Sequence, residues 1–176
     1  TAGTVGTSQT ICYNTAPSPF TNITSPSGGT GTYTYQWQSS LDNSTWADIT
    51  GANSATYTAG NLTTTTYFRR NVTSSGGCGT VSSAPITVTV NPDLAAGSIS
   101  ADQTICYNTS PVTLNSVTLP SGGTGSYIYQ WQSSPDNSTW TNIGSTNSAN
   151  YSPGNLTATT YFRRSATSGT CGTVYS

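Results

Sequence analysis

Residues 97–168 repeat residues 3–74 at a constant offset of 94 with no gap, and this regularity constrains the fold more than any motif does. Roughly 45 of those 72 positions are identical. Gln9-Thr10-Ile11-Cys12-Tyr13-Asn14-Thr15 returns as Gln103 to Thr109, Tyr35-Gln36-Trp37-Gln38-Ser39-Ser40 as Tyr129 to Ser134, and Tyr67-Phe68-Arg69-Arg70 as Tyr161 to Arg164. A one-residue deletion then shifts Cys78 onto Cys171. The chain is one fold written twice, in modules of about 90 residues, a size that buries a modest core and often needs a covalent staple.

Within a copy the apolar residues alternate with polar ones, the period of a strand with one buried face. Val5 and its neighbours lead a first strand up to Cys12. Val112, Leu114 and Val117 suggest the next strand in the second copy, with the weaker Phe20 and Ile23 in the first. Ser27-Gly28-Gly29-Thr30-Gly31 is a turn. Tyr33, Tyr35 and Trp37 alternate with Thr34, Gln36 and Gln38, Tyr57 marks a short strand, Tyr67 opens one that runs through Val72, and Ile86, Val88 and Val90 line the last. Seven or so short strands separated by turn signals predict an all-β chain of two tandem immunoglobulin-like β-sandwiches. Trp37 and Trp131 stand where such a fold places its core Trp, and Leu62 followed by Tyr67, with Tyr161 in the second copy, fits a tyrosine corner. These four aromatics are the expected core.

Asn91-Pro92-Asp93 closes the first copy, giving domains 1–92 and 93–176 joined by a linker too short for free hinging. The second copy has no counterpart of Ala84-Pro85-Ile86-Thr87-Val88-Thr89-Val90, so it is expected to lack its last strand, by truncation of a longer array or because a neighbouring subunit supplies it. Each copy holds one equivalent pair of cysteines, which predicts Cys12–Cys78 and Cys106–Cys171 bridges, each stabilising its module by about 4 kcal/mol. Disulfides imply an oxidising, extracellular setting; the alternative is free thiols in a reducing cell.

Composition narrows the function. The chain has no His, Met, Lys or Glu; its four basic residues are Arg, its five acidic residues are Asp, and the net charge is −1. Nucleic acid and anionic membranes are excluded as partners, because both need clustered cations. No apolar run is long enough to span a bilayer and no secretion signal opens the chain, which reads as mature or as part of something larger. General bases and activated nucleophiles are scarce, so no enzyme, no catalytic residue and no cofactor is expected. Asp42 and Asp136 are equivalent and lie in separate modules, so they form no carboxylate dyad. Asp42-Asn43-Ser44 reads as a locally bonded turn rather than a calcium loop, and no metal site is expected.

Two clusters remain as surface candidates. Adjacent strand residues face opposite ways, so one Arg of Arg69-Arg70 and of Arg163-Arg164 lies beside Gln36 or Gln38 or their counterparts, and the other points at the core unless a bulge releases it. Trp46, Trp140, Tyr57 and Tyr151, with Tyr13 and Tyr107, are either core aromatics or a stacking platform for a glycan. The Asn-x-Ser/Thr sequons at Asn22, Asn43, Asn61, Asn71 and Asn108 read as coincidence in an Asn- and Thr-rich chain.

Tyr-Gln-Trp-Gln-Ser-Ser, Asp-Asn-Ser-Thr-Trp, Asn-Leu-Thr followed by Thr-Tyr-Phe-Arg-Arg, and Cys-Gly-Thr-Val together resemble the Ig-like repeats of very large surface proteins of gliding bacteria, the SprB-type motility adhesins exported by type IX secretion. The resemblance covers nearly the whole chain, twice. It implies secretion, a place on the bacterial cell surface and service as an adhesin stalk, with further Ig-like repeats as partners. A filament subunit completed by a neighbour's strand and a carbohydrate-binding module that contacts surface polysaccharide are the alternatives.

Overall fold

Alternating burial along Thr66–Ser74, where every second side chain is sequestered, sets the architecture of the first module. The computed structural model describes residues 1–176, an all-β chain in two units, Thr1–Asn91 and Pro92–Ser176. In the first unit the strands are β1 (Thr4–Val5), β2 (Gln9–Ile11), β3 (Asn22–Thr24), β4 (Tyr33–Ser40), β5 (Ala47–Asp48), β6 (Thr66–Ser74), β7 (Thr80–Ser82) and β8 (Ile86–Val90). The larger sheet runs β2-β8-β6-β4-β5, with β7 also beside β6. Its centre is the antiparallel β4–β6 pair, in register from Tyr33 opposite Ser74 to Ser40 opposite Tyr67. A smaller layer pairs β1 with β3 and continues in the Phe20–Tyr57 bridge.

Val5, Phe20, Trp37, Ala59, Phe68, Ile86 and Val88 form the core, with Tyr57 and Leu62 packed against it. The rings of Phe20, Trp37, Tyr57 and Phe68 lie 5.0–6.3 Å apart at tilted angles, a favourable arrangement for aromatic quadrupoles. The first strand region does not stay in one layer. β1 pairs with β3, then the chain crosses at Gly6 and β2 joins β8 in parallel. Gly6 has φ +53°, and a Cβ there would come within 2.9 Å of Ile86 Cδ1, so the crossing requires glycine.

The second unit holds β9 (Ser98–Ile99), β10 (Ser116–Thr118), β11 (Ile128–Ser134), β12 (Thr141–Asn142), β13 (Tyr161–Thr167) and β14 (Thr173–Tyr175), with a 3₁₀ turn at Gly169–Cys171. Its larger sheet is β12-β11-β13-β14, and β9 pairs with β10. β14 covers the second half of β13, from Ser165 to Thr167. Nothing occupies the place that β8 takes beside Thr66–Phe68 in the first unit, and residues 103–105, the counterparts of β2, form no ladder.

That difference corrects one expectation. Trp37 and Trp131 are fully buried, and Tyr67 is half-buried, but Tyr161 is 42% exposed and is not a core residue. It stands on the uncovered half of β13. Of Val112, Leu114 and Val117, expected in one strand of the second copy, Val117 lies in β10 and Leu114 forms an isolated bridge with Tyr151; Leu114 is buried, and Val112 and Val117 are exposed.

Candidate functional site

The Arg-Arg pairs divide between the two faces of the sheet. Register sets Arg70 opposite Trp37 and Arg69 opposite Gln38, so Arg70 shares the inner face and Arg69 the outer one. Arg70 is completely buried. Its Nη1 donates to Ala55 O at 2.5 Å and to Asn22 Oδ1, and its Nη2 donates to Ala2 O at 2.9 Å. The guanidinium also lies 4.8 Å from the Tyr35 ring centroid. Arg164 repeats this, with Ser116 Oγ, Ala149 O and Ala96 O as acceptors and Tyr129 beneath it. Burial pushes both guanidinium pKa values down, offset in part by the nearby tyrosine. Nε of each has no partner. A fixed fork of donors thus ties the amino-terminal segment, the smaller layer and the 55-loop to β6.

On the outer face Arg69 Nε donates to Gln38 Oε1 at 2.7 Å, and its guanidinium lies 4.2 Å from the Trp46 ring centroid. Gln38 Nε2 in turn donates to Asp48. In the second unit Arg163 bonds Gln132 Oε1 and is held between Trp140 at 4.2 Å and Tyr175 at 4.1 Å. Sequence reasoning passed over Tyr175. The only signal is that it takes the position of Ser82 when the Cys-Gly-Thr-Val blocks are aligned.

These contacts do not assemble the proposed glycan platform. Tyr57 belongs to the core through Phe20, Trp37 and Phe68, and Tyr151 lies against Trp131 and Phe162. Trp46 and Trp140 are on the outer face, each with an Arg over its ring. Tyr13 and Tyr107 are exposed beside the Asn14 and Asn108 turns and join neither group.

Asp42 is occupied by its own turn. Its Oδ1 accepts from Thr45 N at 2.7 Å, Ser44 N at 2.8 Å and Ser40 Oγ at 2.8 Å, and Asn43 takes a left-handed φ of 58°. Those bonds, Thr45 N first, hold the carboxyl well below the usual carboxylate range, and Asp136 repeats the arrangement with Thr139 and Ser138.

The cysteines overturn the predicted bridges. Cys12 and Cys171 are disulfide-bonded, while Cys78 and Cys106 are exposed free thiols. Neither Cys12–Cys78 nor Cys106–Cys171 exists, and the strand directions explain why. β2 is parallel to β8, and β8 is antiparallel to β6, so β2 and β6 end at opposite ends of the unit. Cys12 follows β2 where Ile11 O accepts from Asn91 N. Cys78 lies beyond the far end of β6, within 3.6 Å of a Cβ built on Gly29. The length of β6 alone separates them by roughly 27 Å, against about 7 Å that a disulfide tolerates between Cα atoms. Cys106 sits in the same turn as Cys12, accepting from Thr109 N and Oγ1 as Cys12 does from Thr15, and Cys171 sits in the same place as Cys78, after β13.

A family described as Domain of unknown function (DUF8696) matches residues 1–92 and again 95–176. No curated protein matches the chain.

Proposed function

We propose, for a chain that belongs to the DUF8696 family over both of its repeats, that it serves as a non-catalytic extracellular structural repeat. In this reading it is two tandem immunoglobulin-like sandwiches in the stalk of a bacterial surface adhesin. One observation carries the reading: the charged side chains that recur in both copies are spent on contacts within their own module. Arg70 and Arg164 bond carbonyls in the interior, Arg69 and Arg163 cap Trp46 and Trp140, and Asp42 and Asp136 close turns. Selection for a stable spacer produces that pattern; selection for a reactive centre leaves such groups open to substrate.

The resemblance to SprB-type repeats supports the surface location, as does a disulfide. Immunogold labelling of intact cells with an antibody against the two repeats tests it: external label that vanishes on mild protease treatment is expected, and label confined to the cell interior overturns it. A glycan array of the same protein separates the spacer from a carbohydrate-binding module, since saccharide binding lost in Trp46→Ala with the fold intact would establish the latter.

A further inference from the structure

The two copies diverge in charge on the outer face of the larger sheet, around Arg69 and Arg163. In the first unit one cross-strand row carries Asp48, Gln38 and Arg69. Gln38 Nε2 donates to Asp48 Oδ1 at 2.7 Å, and Arg69 Nε donates to Gln38 Oε1 at 2.7 Å. In the second unit the same row reads Asn142, Gln132 and Arg163, joined by equivalent bonds of 2.8 and 2.7 Å. The bonding is kept and the negative charge is gone. Asp48 sets a carboxylate one amide away from its Arg, within the Debye length of about 8 Å at physiological salt, where it lowers the potential an incoming anion meets. Asn142 sets none there, and its exposed amide keeps Nδ2 as a donor where Asp48 has only acceptors. Asp136, the nearest acid in sequence, is held in its own turn by Ser134, Ser138 and Thr139.

A second change lies on the other side of the Arg. Where β7 presents Ser82, bonded to Asn71, β14 presents Tyr175. The Arg163 guanidinium lies 4.1 Å from the Tyr175 ring centroid and 4.2 Å from that of Trp140. β14 and β12 flank the β11–β13 pair from opposite sides, so the two rings grip the cation between them. Arg163 thus gives Nε and both faces to its own unit. Nη1 and Nη2 make no bond there and are open to solvent. What remains is a planar fork of donors, held in place before any ligand arrives. On the same face stand Asn142, Tyr161 and Tyr175, all exposed, polar and uncharged.

We infer that the outer face of the second unit binds the carboxylate of an acidic saccharide: the group docks end-on to Nη1 and Nη2 of Arg163, and Asn142, Tyr161 and Tyr175 take hydroxyls of the sugar that carries it. One open cation among neutral hydrogen-bonding groups matches a carboxylate set among hydroxyls. A run of acidic peptide side chains calls for clustered cations instead, and Arg164, the other Arg of this unit, is buried. The first unit, with Asp48 in the row and Ser82 in place of the second ring, does not bind. The site adds a ligand to the spacer without resting on the adhesin reading, and Trp46→Ala, a change in the first unit, leaves it intact.

Nuclear magnetic resonance of the nitrogen-labelled 176-residue chain tests the site, by titration with a tetrasaccharide of alternating glucuronic acid and N-acetylglucosamine. The Nε–H of Arg163 and the indole N–H of Trp140 should shift, and those of Arg69 and Trp46 should stay. The carboxyl methyl ester of the same saccharide should bind at least about tenfold more weakly. Acetate and tetraglutamate, which carry the carboxylate without the sugar, should also bind at least about tenfold more weakly. Asn142→Asp rebuilds the row of the first unit at an exposed position and should lower affinity about fivefold. Arg163→Lys should lower it about tenfold. The converse double variant, Asp48→Asn with Ser82→Tyr, should give the first unit a site of its own, seen as a shift of the Arg69 Nε–H. A melting temperature within about 2 °C of the native chain shows that a variant is folded. The inference is overturned by a silent Arg163 at about 20 mM tetrasaccharide, or by equal binding of the ester, acetate or tetraglutamate. It is overturned equally by a folded Asn142→Asp chain that binds like the native one, or by a folded double variant whose Arg69 stays silent.

Discussion

Arg70 is a buried cation whose acceptors, unlike those of an ion pair, are all neutral: two backbone carbonyls and the Asn22 amide. Its removal leaves the buried Ala2 carbonyl without this donor, takes a partner from Asn22 and Ala55, and empties the space the side chain fills. Arg70→Ala or Arg164→Ala should therefore destabilise its own unit by about 3 kcal/mol, measured by urea unfolding. Arg70→Lys should recover only a small part, because an ammonium on a flexible stem does not reach three oxygens in one plane. Arg69→Ala, by contrast, removes an outer-face contact with Trp46 and Gln38, and a loss of less than about 1 kcal/mol is expected. The two neighbours in sequence thus differ severalfold in consequence. Asp42 and Asp136 give the pH dependence. Their folded pKa lies below the unfolded value of about 3.9, so the stability they add is present above pH 4–5 and is lost as the pH falls from there through the lower folded pKa. Melting temperature followed from pH 6 to pH 2 should drop in the native chain. The drop should flatten in Asp42→Asn, Asp136→Asn, because the amide has no proton to gain there.

At the scale of the element, the two units form a natural comparison of one sheet with and without β8. Tyr67 and Phe68 are paired on both sides, by β4 and β8, whereas their counterparts Tyr161 and Phe162 are paired by β11 alone. Hydrogen exchange should be faster at those β13 amides that point away from β11 than at their β6 counterparts, by about tenfold or more. Val88→Ala should erase part of the difference: it opens a cavity in the first core at a cost of about 2 kcal/mol and leaves exchange in β13 unchanged. Much of this layout was legible in the sequence. The alternation of Tyr33, Tyr35 and Trp37 marks β4, and that of Ile86, Val88 and Val90 marks β8. The facing of the Arg pair was not legible, since alternation says only that one of them turns inward. Fixing which one needs the register that sets Arg70 opposite Trp37. The Val5–Cys12 region read as one strand because nothing in its composition shows that it changes layers at Gly6.

For the whole molecule the repeat identified which cysteines are equivalent but not which of them meet. Equivalence suggested one bridge per module, on the assumption that both cysteines of a copy lie at the same end. The directions of β2 and β6 place them at opposite ends, and strand direction is a property of topology that local sequence does not carry. The same geometry predicts how the cysteines behave thermodynamically. Cys12 and Cys171 are the disulfide-bonded cysteines, so Cys12→Ser and Cys171→Ser should each cost about 2–4 kcal/mol. Cys78→Ser and Cys106→Ser remove no bond and should leave the melting temperature within about 1 °C of the native chain, with effects that add independently. Bridges inside each module would give the reverse: four single variants of similar cost, with Cys12 coupled to Cys78 and Cys106 coupled to Cys171. Calorimetry of the four single variants and three doubles under non-reducing conditions distinguishes the two patterns without any knowledge of a ligand.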